Sequence, residues 1–264
     1  MQTIRALYDR EQRLENRDPG VRLIRTPHTV RLIDDSLGWG VIIHSTLNEA
    51  NADAIIASEI DYFRTQTTVT DLEWKCYDYD PPADLLARLE AHGFVPERPA
   101  DAICVLDLAA LPEKLRQPPA HDIRRITDPA GITDVLTVHA AVWGEDDAWI
   151  AEGRMRRRLE SALRDSPETI RIYVAYVDGI PASACWMDLH EGSAFAGLWG
   201  GSTLEDFRGR GLYTGLLAVR AQEAIRHGIR YLTIDASPMS RPIVEKLGFR
   251  FMADAYECNM TFTR

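Results

Sequence analysis

From position 123 onward the chain alternates between two hydrophobic periods, and the switches between them mark its elements. IRRI at 123–126 reads as a short strand. Over 130–143 the apolar residues Ile132, Val135, Leu136, Val138 and Val142 follow a helical spacing, and Asp128-Pro129 is a helix-start signal. A charged helix over 149–164 comes next. Three strand-like runs follow at 170–177, 180–188 and 193–200. Asp178-Gly179 between the first two is a tight-hairpin signal, and His190-Glu191-Gly192 makes the second turn. After a glycine-rich turn, 212–227 forms an amphipathic helix with Leu212, Leu216, Leu217, Val219, Ala224 and Ile225 on one face and Gly228 as its C-terminal cap. YLTID at 231–235 is a strand, 241–247 a short helix, and two more strands are expected from Phe249 onward. The order βαα-βββ-α-β-α-ββ predicts an α/β fold, more narrowly an α+β arrangement with a mixed sheet.

The first half carries a fainter copy of the same ending. LLARLEAHGF at 85–94 parallels IVEKLGF at 243–249, each after a strand-like run and each before a run with a cysteine, CVLDL and CNMTF. This predicts an internal repeat of one α/β unit. Between the halves, LPEKLRQPPAHD at 111–122 has three prolines and little apolar pattern, which predicts a linker. The expected organisation is a first domain over 1–110, a linker over 111–122 and a second domain over 123–264.

Composition narrows the function classes. At 264 residues the length suits two domains, with 45% apolar and 27% charged residues as in soluble globular proteins. A net charge of −10 argues against a nucleic-acid partner and is compatible with a cationic substrate. No apolar run reaches the ~20 residues a membrane helix needs, and no signal-type stretch opens the chain, so a cytoplasmic protein without a membrane partner is expected. Cys76, Cys104, Cys185 and Cys258 are far apart and suit buried positions, and the histidines lack ligand spacing, so no metal is expected.

The chemistry-bearing feature is the strand–turn–helix with Arg208-Gly209-Arg210-Gly211-Leu212-Tyr213 in its turn. Two glycines let backbone N–H groups point one way, the helix that begins at once adds its unpaired N–H groups and positive dipole end, and two arginines add charge. Together they make a phosphate receptor. The dinucleotide pattern Gly-x-Gly-x-x-Gly is missed by one residue, since Thr214 precedes Gly215, and the P-loop lysine is absent.

With this turn, the Glu245-Lys246-Leu247-Gly248-Phe249 ending and the element order, the second domain resembles the GNAT N-acetyltransferase superfamily, whose signature here is Arg/Gln-x-x-Gly-x-Gly/Ala. Tyr213 departs from it, because a small residue is usual there. The resemblance implies a GNAT acyl-CoA N-acyltransferase fold, in tandem with a degenerate first copy that lacks the glycine-rich turn, as in mycothiol-synthase-like enzymes. It implies acetyl-CoA as donor, bound by Thr203, Arg208, Gly209, Arg210, Gly211, Leu212, Tyr213, Thr214 and Ser237, with strand 199–203 splayed from its neighbour and bonding the pantetheine. The implied reaction is acetyl transfer to a primary amine of a small molecule or peptide, and a homodimer is compatible with it.

The family's usual acid and base are replaced. Val244 stands where a tyrosine is common, and Gly197 near a strand position that usually has a carboxylate. Ser237 and Tyr256 are the substitute catalytic candidates; Asp188, His190 and Glu191 read as solvated turn residues. Trp143, Glu145, Asp146 and Asp147 join the first two helices of the domain, and two tryptophans around three acids suit a cationic, partly apolar acceptor. Arg154, Arg156, Arg157 and Arg158 read as a solvated helix face paired with Glu152 and Glu160. The alternative is a CoA-binding or regulatory protein of GNAT fold without turnover.

Overall fold

The computed structural model describes residues 1–16, 18, 20–117 and 119–263. They fall into two compact units. The first holds Met1–Ile103, Ala236–Arg241 and Phe251–Arg264, the second Cys104–Asp235 and Pro242–Arg250.

The first unit begins with α1 (Gln2–Tyr8), which runs on as a π-helical stretch over Asp9–Leu14. β1 (Arg22–Arg25), β2 (Thr29–Asp34), β3 (Trp39–Ser45), α2 (Ala52–Gln66), β4 (Asp71–Tyr77), α3 (Leu85–Ala91), β5 (Val95–Pro96) and β6 (Asp101–Asp107) follow. The chain enters the second unit within β6. There it forms α4 (Glu113–Arg116), β7 (Asp122–Ile126), α5 (Ile132–Trp143), α6 (Ala148–Ala151), α7 (Arg154–Asp165), β8 (Ile170–Val177), β9 (Ile180–Leu189), β10 (Phe195–Thr203), α8 (Leu212–Arg226), β11 (Tyr231–Ala236) and α9 (Arg241–Lys246). The last strand, β12 (Arg250–Thr261), belongs to the first unit from Phe251 onward.

In the first unit the strand order is β1-β2-β3-β4-β12, with β5 also on β12. β3 and β4 are parallel, joined through α2, while β12 runs antiparallel to β4 with Ala255 opposite Tyr77. Ile42, Ile56, Phe63, Trp74 and Leu89 fill the core. Two buried arginines are neutralised there, Arg13 by Asp80 at 2.6 Å and Arg31 by Glu59 at 2.6 Å.

In the second unit the order is β6-β11-β10-β9-β8-β7, with β10 and β11 parallel and joined through α8. Alternation along β8 and β9 sorts the side chains to two faces. Ile172, Val174, Ala184 and Trp186 pack with Ile132, Val135 and Val138 of α5 and Leu159 of α7. Tyr173, Ala175, Ala182 and Cys185 pack with Leu212 and Leu216 of α8. None of the four cysteines is in a disulfide, all four are buried, and burial raises the pKa of the Cys185 thiol.

Three sequence expectations change. The proline-containing stretch 111–122 lies in the second unit: Leu111 and Leu115 are buried, and Gln222 donates to the Leu115 carbonyl at 3.0 Å. Proline stiffened this segment, but its leucines anchor it; Pro118 lies outside the described residues. The helix expected over 149–164 is two helices, broken where Gly153 takes a left-handed φ of +67°. The two strands expected after Phe249 are the single β12, whose run 250–261 contains no glycine or proline to interrupt it.

The repeat has a clear geometric form. In both units a parallel strand pair is joined by a helix of 15 residues. The parallel register covers Trp39 to Ile42 against Asp71 to Trp74 in one, and Phe195 to Leu198 against Tyr231 to Ile234 in the other. Beyond those four pairs each first strand runs on without its parallel neighbour.

Candidate active site

The turn between β10 and α8 is built for an anion. Gly209 and Gly211 have φ of +74° and +83°, a region L side chains avoid, and no atom lies within 4 Å of where a Gly209 Cβ would stand. Gly211 precedes α8 without any side-chain cap, so the amides of Leu212, Tyr213 and Thr214 keep no intrahelical acceptor. The apolar body of Leu212 is buried in the core, so this residue offers only its backbone. Arg208 and Arg210 are exposed beside the turn, and their guanidinium groups are steadied by the carbonyls of Thr203 at 3.2 Å and Asp206 at 2.9 Å. Converging amides, a helix dipole and two cations make a pyrophosphate-sized receptor.

The corresponding turn of the first unit is held by its own side chains. Asn48 Oδ1 accepts from the amides of Ala50 and Asn51 at 2.9 and 3.1 Å, and Asn51 Oδ1 accepts from the Asn48 amide at 2.8 Å. Glu49 adds a negative charge in the same turn. The amides of Ala50 and Asn51, just ahead of α2, are thus bonded within their own turn.

β10 leaves β11 where the sequence placed the splay. Its register with β9 also shifts between Trp199 and Ser202, around Gly200 and Gly201. Aromatic rings hold this bulge. A Cβ on Gly200, which has φ +60°, would stand 2.1 Å from the Trp186 ring, and one on Gly201 would stand 2.9 Å from Tyr213. Tyr213, the departure from the family signature, thus fits against a strand position that lacks a side chain. Burial raises its pKa, and Arg220 works in the opposite direction. Thr203 ends the strand with its hydroxyl 2.7 Å from that of Ser183.

Gly197 has a physical occupant too: a Cβ there would stand 2.7 Å from Trp199 Nε1. The indole fills the place where the family usually has a carboxylate. Directly opposite Gly197 on β9 stands Asp188. It is buried and bound to Arg158 of α7 at 2.6 Å, not a solvated turn residue, because β9 extends to Leu189 and the turn begins later. The arginines of α7 are likewise divided, with Arg154 buried against Glu152 at 2.6 Å and Arg156 on Glu160 at 3.2 Å.

Trp143, at 45% exposure, and Trp199, at 39%, are the half-exposed rings of this face. Glu145 and Asp146 are exposed beside Trp143. Asp147 differs from them: its Oδ1 accepts from the amides of Trp149 and Ile150 at 3.0 and 3.3 Å, which makes it the N-cap of α6. The sequence reading missed His139 of α5, fully buried at 0% exposure, with Nδ1 2.8 Å from the Val135 carbonyl and Nε2 2.8 Å from the Gly200 carbonyl. A lone histidine on an apolar helix face carries no signal of a contact 61 residues away.

Val244 is buried in the second unit. Ser237 and Tyr256 belong to the first. Ser237 closes a turn, its Oγ 3.3 Å from Ser240 Oγ. Tyr256 packs against the first unit's core, with the Arg98 guanidinium 5.7 Å from its ring centre.

A splayed parallel strand pair, a glycine turn and a helix without a side-chain cap together frame a receptor for an anion. Residues 112–235 match the model of the acetyltransferase (GNAT) domain. A GCN5-related N-acetyltransferase from Kribbella flavida superposes with a TM-score of 0.68 at 16% identity, over 98% of this chain and 95% of its own. A tandem GNAT protein from the clavulanic acid biosynthesis pathway gives 0.58 at 18%, over 94% and 85%. A conserved protein of unknown function from Staphylococcus epidermidis gives 0.73 at 15%, over 95% and 97%. Likeness at such identities establishes the fold. No curated protein matches the chain in sequence.

Proposed function

We propose that this protein transfers the acetyl group of acetyl-CoA to a primary amine of a small molecule or peptide. The observation that carries the reading is the glycine turn at 209–214, where amides that no side chain caps among the described residues meet the N-terminus of α8. Thr203 and 208–214 hold the donor, with the pyrophosphate against the backbone and the arginines beside it. The donor supplies a thioester; the chain orients it and the acceptor. Bringing a neutral amine against a thioester supplies most of the acceleration such a reaction needs, and backbone amides can polarise its carbonyl.

The acceptor lies against Trp143, with Glu145 and Asp146 drawing a cationic amine; Asp147 is committed to its helix. Asp188 is the carboxylate set opposite Gly197, and Arg158 fixes its direction. A second reading, a CoA-binding protein without turnover, is favoured by Val244 and by the indole over Gly197.

Calorimetry with CoA, followed by thiol release from acetyl-CoA across amines, peptides and aminoglycosides, separates the readings. We expect CoA binding, its loss by at least about tenfold in Gly211→Glu, which sets a carboxylate against phosphate, and turnover on at least one amine class. Unchanged affinity in Gly211→Glu refutes the cradle. Tight binding with no turnover supports the silent protein.

A further inference from the structure

His139 is buried between two acceptors. Its ring nitrogens face the carbonyls of Val135, one turn back on its own helix, and of Gly200 in the β10 bulge, both at 2.8 Å. The ring stands edge-on to Trp143 with centroids 4.7 Å apart and lies 5.6 Å from Trp186, the same indole that covers Gly200. The charged group that acts on it is Asp147, at the start of α6. Burial lowers its pKa, which favours the neutral ring, and a neutral ring donates from one nitrogen only.

Gly200 departs from extended backbone at φ +60°, and its carbonyl meets the side of α5 instead of a ladder partner. A peptide group is planar and trans, so fixing that carbonyl also fixes the Gly201 N–H, which points away from α5. We propose that His139 is a positioning residue for the acyl end of the donor: through Gly200 it holds the 200–201 peptide in the orientation in which the bulge meets the acyl carbonyl. The inference rests on the acetyl-CoA reading of the site. No proton is transferred by His139 in this role; it acts through the strand.

The test is calorimetry on the full chain with acetyl-CoA and with CoA, since an acyl-reading contact separates the two ligands. Wild type binds acetyl-CoA more tightly than CoA. His139→Phe, which keeps the packing and removes both ring nitrogens, brings the two affinities together while CoA binding stays within about twofold. His139→Gln, whose amide reaches as far as Nε2, restores the preference, whereas His139→Asn, which reaches only Val135, does not. If His139→Phe does not fold, the Gln and Asn pair decides. A preference retained in His139→Phe or His139→Asn, or absent in wild type that binds both ligands, overturns the inference alone. Wild type that binds neither ligand overturns the donor site itself, and the inference falls with it.

Discussion

Gly200 shows how one residue type can decide the geometry of a strand. Alanine there meets two obstacles, a left-handed φ and a ring 2.1 Å from its methyl. We expect Gly200→Ala to cost about 3 kcal/mol, from backbone strain of ~1–2 kcal/mol together with overpacking. Thermal unfolding measures it, and a loss below about 1 kcal/mol means that the Trp186 indole moves aside freely. Glycines at 209 and 211 were legible from sequence because their spacing before a helix has one chemical reading. Gly200 and Gly201 were not, since each is dictated by a ring from another element, Trp186 and Tyr213, and Gly197 meets the Trp199 indole through a fold of the strand that spacing does not reveal. Asp188 escaped for a related reason: with the strand running on to Leu189, a position read as solvated is held in a buried ion pair with Arg158.

At the scale of elements, α8 is fastened to the sheet at its far end by a charge cluster. Glu223 accepts from Arg171 Nε at 2.8 Å and is also paired with Arg226, while His227 Nε2 lies 3.3 Å away. Burial pushes the Glu223 carboxyl upward, but hydrogen bonds from Arg226 and Arg171 outweigh it and hold the pKa at about 2. With a folded pKa below the unfolded one, its contribution is present above the ordinary glutamate range and is lost as pH falls toward about 2. His139, whose pKa burial also lowers, acts in the same direction below the ordinary histidine value of 6.5. Stability should therefore decline on the acid side in wild type, with a shallower slope below pH ~4.5 in Glu223→Gln. At neutral pH that variant leaves the buried Arg171 with carbonyl partners but no carboxylate, and we expect a loss of about 3 kcal/mol in denaturant titration. An unchanged acid slope in Glu223→Gln contradicts the assignment. Most elements around this cluster were readable from periodicity, because β8, β9 and α8 each present apolar residues to defined faces. The break in the helix at Gly153 was not, since a single glycine within a charged helical run is often tolerated.

The whole molecule is less divisible than its sequence suggested. Its units exchange chain four times, at 103/104, 235/236, 241/242 and 250/251. A composition shift marks a linker only when the stretch lacks buried anchors, and 111–122 has Leu111 and Leu115. Neither unit is therefore one continuous segment. Deleting 251–264 removes the strand that pairs with β4 and takes Cys258 and Phe262 out of the first unit's core. We expect that truncation to accumulate as aggregate, because β4 then presents an unpaired apolar edge. Soluble, cooperative unfolding of the truncated chain at the wild-type midpoint would show that β12 is dispensable.

β12 also sets a timetable. Tyr77 is paired with Ala255, so a strand made early waits through the synthesis of most of the chain for its neighbour. At ~5–20 residues per second, the nearly 180 intervening positions take roughly 10–40 seconds to emerge. During that interval the second unit, whose sheet is complete once β11 has left the ribosome, can fold first. In the cell, the half of the protein that comes first in sequence is thus the half that finishes last, and it depends on its nascent edge being kept from other chains until then.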